Sequence, residues 1–304
     1  MDFETKSVKV KSSDGIHTLR GKIFIPSGEI KGILHLVHGM TEHINRYDSF
    51  FAEFAKNGYV CCGYDNLGHG KTVDGKDELG FIAHKKGYDY LMRDVKIFSD
   101  KIRKNYPKVP YILMGHSMGS FIVRGTAVNY VTDPDKLIIC GTGGPNPFSA
   151  AGLLITDILK LFKGEKYISK TVDKIAFGTF NKRFEGNSEY NWLTKDPEVI
   201  GVYSQDELCT FKFTVSAMHD LVKLNRIANS RKFFKKLDKS IPVLIVSGDS
   251  DPVGDYSKGV KKVYNRLKGG RDVTLKLYEN CRHEIHNDTC KNEMIEDILE
   301  FLEK

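Results

Sequence analysis

No stretch of this 304-residue chain approaches the roughly 20 consecutive apolar residues that a membrane-spanning helix needs. A transmembrane helix is therefore not expected. The opening residues Met1-Asp2-Phe3-Glu4-Thr5-Lys6 hold neither a basic segment nor an apolar one, so no secretory signal is expected. Internal repeats and low-complexity tracts are also missing, which sets aside repeat architectures and disordered arms. The net charge of +7 is not gathered into blocks. Its densest stretch is Arg231-Lys232-Phe233-Phe234-Lys235-Lys236, with Lys239 beyond. That stretch reads as a solvated helix face; weak attraction to anionic lipid or head groups is the alternative. No nucleic-acid-binding module is recognisable, and no nucleic-acid partner is expected. The six cysteines are poor evidence for disulfides without a signal peptide. Cys61 and Cys62 fall inside Gly58-Tyr59-Val60-Cys61-Cys62-Gly63-Tyr64, which reads as a buried strand with two small core side chains. A reducing, cytoplasmic setting is expected. Cys281, His283, His286 and Cys290 have a spacing that matches no standard zinc pattern, and no metal is expected.

What is present is ordinary for a globular protein, with 40% hydrophobic and 28% charged residues. Ser7 to Lys11 and Leu19 to Ile25 alternate in polarity around Asp14-Gly15, which predicts a β-hairpin. Buried strands are predicted at Gly32 to Val37, Val60 to Tyr64, Tyr111 to Met114, Lys136 to Gly141, Ile241 to Gly248 and Val273 to Tyr278. Helical spacing appears between them, as in Phe50, Phe51, Phe54 and Ala55, in Leu91, Val95, Phe98 and Ile102, and in Met294, Ile295, Ile298, Leu299 and Leu302. Strands alternating with helices predict an α/β fold, a mostly parallel sheet covered on both faces.

One segment breaks the rhythm. Residues 147–237 show helical patterns and no convincing buried strand. About ninety residues are too many for a crossover loop. They read as an inserted helical cap, with residues 1–146 and 238–304 forming the core. In the cap, Leu153, Leu154, Ile158, Leu161 and Phe162 form an apolar stripe. It reads either as a wall for an acyl chain or as packing of cap onto core. Phe211 to Met218 is ambiguous between helix and strand.

The most informative motif is Gly115-His116-Ser117-Met118-Gly119, which follows the apolar run Tyr111 to Met114 and precedes a helix-compatible segment. Strand, tight turn and helix are the setting in which G-x-S-x-G exposes a nucleophilic serine. The glycines are needed because the turn is sharp and neighbouring chain passes close by. A lone serine hydroxyl is a poor nucleophile near neutral pH, so a base and an orienting acid must come from elsewhere.

Ligands of such sheets bind beyond the carboxyl ends of the strands, and three strand ends supply the remaining parts. After Ile241 to Gly248 come Asp249 and Asp251. Asp251 is the preferred acid because Pro252 favours an extended, directed conformation there, whereas Asp249 suits an Asx turn. His283 lies between the last strand and the last helix. Its ordinary pKa near 6.5 suits a base that must return its proton as an acid. The order Ser117, Asp251, His283 is the triad order of this architecture. His38-Gly39-Met40 follows another strand, where an oxyanion donor is expected. The backbone N–H groups of Met40 and Met118 are the predicted pair. His38 and His43 read as structural hydrogen-bonding groups of that loop.

These residues resemble the monoacylglycerol lipase and lysophospholipase group of α/β-hydrolases. The resemblance covers nearly the whole chain. It is carried by His38-Gly39-Met40-Thr41-Glu42-His43 with Arg46-Tyr47, by Asp65-Asn66-Leu67-Gly68-His69-Gly70, and by Gly115 to Gly119. It continues through Phe211-Lys212-Phe213-Thr214, Asp249-Ser250-Asp251-Pro252-Val253-Gly254 and Arg282-His283-Glu284-Ile285. The resemblance implies the α/β-hydrolase fold and a serine hydrolase for carboxylic esters, with the triad Ser117, Asp251 and His283. The substrate would be a small ester bearing an acyl chain, and no cofactor is called for. It also implies a cap that shapes the acyl pocket and is able to contact membranes or micelles. Ser120 stands where the group often has glycine, and His286 where it usually has an aliphatic residue. Esterases for short or aromatic esters, amidases and peptidases are the alternatives on the same frame. A non-catalytic binder of hydrophobic ligands would be expected to have lost part of the triad, yet all three members are present.

Overall fold

The computed structural model describes residues 2–130 and 132–304. It opens with a β-hairpin, β1 (Phe3–Lys11) and β2 (Thr18–Pro26), followed by β3 (Gly32–Val37), α1 (Asp48–Lys56) and β4 (Tyr59–Tyr64). Then come α2 (Gly87–Arg103), β5 (Tyr111–His116), α3 (Met118–Asn129) and β6 (Lys136–Cys140). Five helices follow without a strand: α4 (Ser149–Lys163), α5 (Lys170–Phe177), α6 (Pro197–Gln205), α7 (Val215–Ala228) and α8 (Arg231–Lys236). The chain then returns through β7 (Val243–Gly248), α9 (Lys258–Leu267), β8 (Val273–Tyr278) and α10 (Lys291–Glu303).

The strands form one eight-stranded sheet in the order β1-β2-β4-β3-β5-β6-β7-β8. The pairings β1–β2 and β2–β4 are antiparallel and all others are parallel. β3, β4, β5 and β7 are buried along their whole length, as strands covered on both faces must be. Side-chain alternation sorts each strand between two cores. Leu34, Leu36, Ile112, Met114, Leu244 and Val246 pack with Phe50, Phe51 and Phe54 of α1 and with Met294 and Ile298 of α10. Their neighbours Ile33, Val37, Leu113, Val243 and Ile245 pack on the other face with residues of α2, α3 and α9.

The helical insertion has two characters. Phe213, Met218, Leu224 and Phe233, near its end, belong to the main core. The ambiguous Phe211–Met218 segment resolves into a non-helical stretch followed by α7, because Thr214 caps the helix by accepting from the Ala217 N–H. By contrast, α4 buries only Leu153 and Thr156, and α5 buries nothing.

Candidate active site

The ends of β3, β5, β6, β7 and β8 converge on a cavity of about 860 Å³. β3 is flanked by β4 on one side and β5 on the other, so the cavity lies where the strand order reverses, the usual crevice of an open α/β sheet.

Ser117 makes the turn from β5 to α3 alone. Its backbone sits at φ 53° and ψ −119°, which costs of order 1–3 kcal/mol for a non-glycine residue. The surrounding packing enforces it. A Cβ on Gly115 would lie 2.3 Å from the Gly119 carbonyl oxygen, and one on Gly119 would lie 2.0 Å from that of Val37. The two motif glycines are therefore steric requirements of the turn. The Ser117 N–H donates to the Cys140 carbonyl at 3.0 Å, and the Ser117 carbonyl accepts from the Ser120 N–H at 2.9 Å. The side chain is half-buried and faces the cavity.

His283, on the loop after β8, lines the same cavity. Its Nδ1 lies 2.9 Å from Oδ2 of Asp251, which is fully buried at the end of β7. The other Asp251 oxygen accepts the Val253 N–H at 2.8 Å. A carboxylate at Nδ1 selects the tautomer protonated there and leaves Nε2 as the basic atom. Asp249 takes a different part: its carboxylate accepts the Ser250 hydroxyl at 2.9 Å.

Met40 and Met118 both line the cavity beside Ser117. Met118 opens α3, so its N–H has no helical carbonyl one turn behind it and is free to point outward. The Met40 loop passes directly over the elbow: a Cβ on Gly39 would stand 2.9 Å from the Ser117 Cβ. His38 braces this loop, with Nδ1 donating to the Gly39 carbonyl at 2.8 Å and Nε2 accepting the Asn66 N–H at 2.9 Å. His43 Nε2 lies 2.8 Å from Asp206 at the end of α6.

Beneath these residues lies a buried network whose role sequence reasoning missed. One Glu42 oxygen accepts the Gly39 N–H, the Tyr47 hydroxyl at 3.1 Å and His116 Nδ1–H at 3.0 Å. Arg46 clamps Glu284 with both terminal nitrogens, at 2.5 and 2.6 Å, and reaches Glu42 at 3.4 Å. Burial opposes the charge on Glu42, but the hydrogen bond and charge of His116, with Arg46 nearby, hold its carboxyl well below the usual range. Burial likewise disfavours protonated His116, and Glu42 outweighs it, so the pKa is raised. For Glu284, too, Arg46 overcomes burial and brings the carboxyl down to about 2. His286 stacks on Tyr47 at 4.5 Å and meets the His116 ring edge-on at 4.8 Å. Burial pushes it down to about 3, so it is a neutral ring filling this layer. Glu42, His116 and His286 bring three potential metal-binding atoms within 4.8 Å of one another. Glu42 and His116 are already bonded to each other, however, which fits a hydrogen-bonded network better than a metal centre. The signal for the network was in the sequence: Glu42, Arg46 and Tyr47 flank the oxyanion loop, and His116 precedes Ser117.

The segment between β6 and β7 also touches the His283 loop, which spacing could not reveal. The ring of Trp192 lies 5.2 Å from that of His283, and the Trp192 and Leu193 carbonyls accept from the N–H groups of His283 and Glu284 at 3.4 and 2.7 Å. The expected α4 stripe behaves otherwise. Leu154, Ile158, Leu161 and Phe162 are exposed, only Leu153 is buried, and none of the five lines the cavity. Both readings of the stripe fail for its four exposed members, because periodicity defines an apolar face without saying what that face meets. The apolar lining comes instead from residues such as Phe121, Phe177, Phe180, Met218 and Leu221. All six cysteines are free and buried, and no helix among the described residues is long and apolar enough to cross a membrane.

A mixed eight-stranded sheet with helices on both faces, and a serine on a strained strand-to-helix elbow, define an α/β-hydrolase. The model of the Hydrolase_4 family, described as serine aminopeptidase, S33, matches residues 28–290, and the chain belongs to that family. It is 25% identical to the monoglyceride lipase of Mus musculus over 86% of this chain and 78% of that one. It is 22% identical to the monoacylglycerol lipase of Mycolicibacterium smegmatis over 92% and 91%. Against an uncharacterized abhydrolase domain-containing protein of Dictyostelium discoideum, 99% of this chain aligns but spans only 29% of that protein's length. The structure superimposes on a highly thermostable carboxyl esterase from Bacillus coagulans, solved in complex with glycerol, with a TM-score of 0.92 and 30% identity over 98% of both chains.

Proposed function

We propose that this protein hydrolyses carboxylic esters of acyl lipids, monoacylglycerols or lysophospholipids, through an acyl-enzyme on Ser117. The observation that carries this reading is that Ser117 and His283 line one cavity, with the buried Asp251 bonded to His283 from behind. His283 Nε2 takes the Ser117 proton as the hydroxyl attacks the ester carbonyl, and Asp251 stabilises the resulting imidazolium. The oxyanion rests on the N–H groups of Met40 and Met118, each such donor being worth about 3 kcal/mol. His283 then protonates the leaving alcohol, and water repeats the sequence to release the acid. The elbow, the loop above it and the His283 loop are fixed by the Glu42 and Arg46 network, so the parts are preorganised.

The lipid character rests on two further supports. The cavity is large and has aromatic and aliphatic walls, and monoglyceride lipases recur among the relatives. The bare apolar face of α4 suits contact with a membrane or micelle, from which an acyl chain would be drawn.

Labelling with a fluorophosphonate probe tests the mechanism. The native protein is expected to label and Ser117→Ala is not; failure of the first, or persistence in the second, removes the reading. A chain-length series of monoacylglycerols and 4-nitrophenyl esters tests the substrate class. A preference for the shortest acyl chains, or faster cleavage of amides, would move the protein to the alternative activities.

A further inference from the structure

In the loop above the elbow, Thr41 holds a backbone that its side chain resists. Its φ is 51°, and a β-branched residue in the left-handed region is a genuine outlier. Glycine is the usual occupant of such a position, because it has no Cβ to clash. Met40 and Thr41 together turn the chain between β3 and α1. The strain therefore falls one residue beyond the Met40 N–H.

What holds Thr41 in place comes from 162 positions away. The hydroxyl of Tyr203, on α6, donates to the Thr41 carbonyl at 2.9 Å and lies 3.0 Å from Thr41 Oγ1. A carbonyl can only accept, so the single Tyr203 proton goes to it, and Thr41 Oγ1 donates to the Tyr203 oxygen. Burial pushes the Tyr203 pKa well above its usual value, so the proton stays on the hydroxyl. The ring is itself fixed. It is buried, the Arg46 guanidinium carbon lies 4.8 Å from its centre, and the Tyr190 ring lies 4.8 Å away on its own account. At the end of the same helix, Asp206 meets His43.

The Met40 N–H belongs to the peptide group joining Gly39 to Met40. On the near side, the carbonyl of that group accepts from His38 Nδ1, and the Gly39 N–H donates to Glu42. On the far side, Thr41 is tied by Tyr203. Were Thr41 to relax to negative φ, the adjoining peptide groups would rotate and carry Met40 with them. We propose that Tyr203 is a positioning residue whose hydroxyl locks Thr41 in the left-handed conformation and so aims the Met40 N–H at the oxyanion. The inference rests on the acyl-enzyme reading above. It makes one of the two oxyanion donors depend on a helix inserted between β6 and β7.

The test compares Tyr203→Phe, Thr41→Gly and their double variant with the native protein. Tyr203→Phe keeps the ring beside Arg46 and removes only the hydroxyl. Active sites are counted by fluorophosphonate titration. Each protein is then assayed with a 4-nitrophenyl ester, a monoacylglycerol and an alkyl trifluoromethyl ketone, which forms a tetrahedral adduct. Tyr203→Phe is expected to lose about 10-fold in kcat per titrated site on both esters, a fraction of what removing a donor outright costs. KM should stay within about 2-fold, and ketone affinity should fall in parallel with kcat. Glycine reaches the required φ without strain. Thr41→Gly should therefore lose less than Tyr203→Phe, and in the Thr41→Gly background Tyr203→Phe should cost only about 3-fold more. Native kcat and ketone affinity in Tyr203→Phe, with only Tm reduced, would assign the hydroxyl to packing and overturn the proposal. A full 10-fold loss repeated in the Thr41→Gly background would show that Tyr203 does not act through Thr41, and would overturn it too. So would a rise in KM confined to the monoacylglycerol, which would make Tyr203 a contact to the leaving alcohol. A native protein that neither labels nor turns over would instead remove the underlying hydrolase reading, and the role of Tyr203 with it.

Discussion

The strand-end platform and the outer helix α4 are built on opposite principles. On the platform, polar groups are buried and paired: Asp251 with His283, Glu42 with His116, Arg46 with Glu284. On α4, apolar groups are bare: Leu161 and Phe162 are 80% and 76% exposed. The platform accepts strain and desolvation to hold a few atoms in fixed places. The helix leaves unburied the area that would have stabilised it. The same chain thus separates a region of buried, paired polar groups from a bare apolar surface. α7 and α8 belong to the same insertion as α4 but join the core, so the division does not follow the sequence boundary between core and insertion.

This contrast can be broken from either side. The largest effect is expected on the platform. Asp251→Asn keeps the shape but favours the wrong His283 tautomer, and should lower kcat by about ten-thousand-fold with little change in fold; steady-state kinetics with circular dichroism decides it. Next comes Glu284→Gln. Glu284 is depressed below its unfolded pKa, so its contribution is present above that value and lost as pH falls towards its folded pKa of about 2. The variant should be about 3 kcal/mol less stable at pH 7, because Arg46 is left partly unpaired in a buried site. The gap from the native protein should shrink as denaturant titrations move from about pH 5 down to pH 3. The smallest effect on the fold is expected on α4. Leu161→Ser with Phe162→Ser should change stability by less than about 0.5 kcal/mol and leave turnover of a water-soluble ester intact. Cosedimentation with phosphatidylcholine–phosphatidylserine vesicles should fall by about 10-fold or more, as expected from the lost apolar area. Unchanged vesicle binding would show that the bare face of α4 has no part in access.

Much of the frame was legible in the chain. The apolar run Gly32 to Val37 was readable as a buried strand, though the structure alone shows Leu34 and Leu36 facing one core and Ile33 and Val37 the other. The elbow was legible because its motif is local: Gly115 and Gly119 bracket Ser117, and a Cβ on either would stand 2.3 or 2.0 Å from a backbone oxygen. The α4 stripe misled because helical spacing reports that one face is apolar and nothing about its surroundings. The Glu42–His116 bond went unread because its partners stand 74 positions apart, and nothing local marks one as the other's acceptor.

The sequence by itself determined the alternation of strands and helices, the strained turn at Ser117 and the chain order of Ser117, Asp251 and His283. The first follows from periodicity and the second from the glycines beside Ser117, while the third is read directly along the chain. Tertiary structure alone decided that Trp192 lies against the His283 imidazole and that the α4 stripe faces outward. Each of these is a through-space contact, or the lack of one, between segments whose meeting depends on the packing of the whole sheet and its helices.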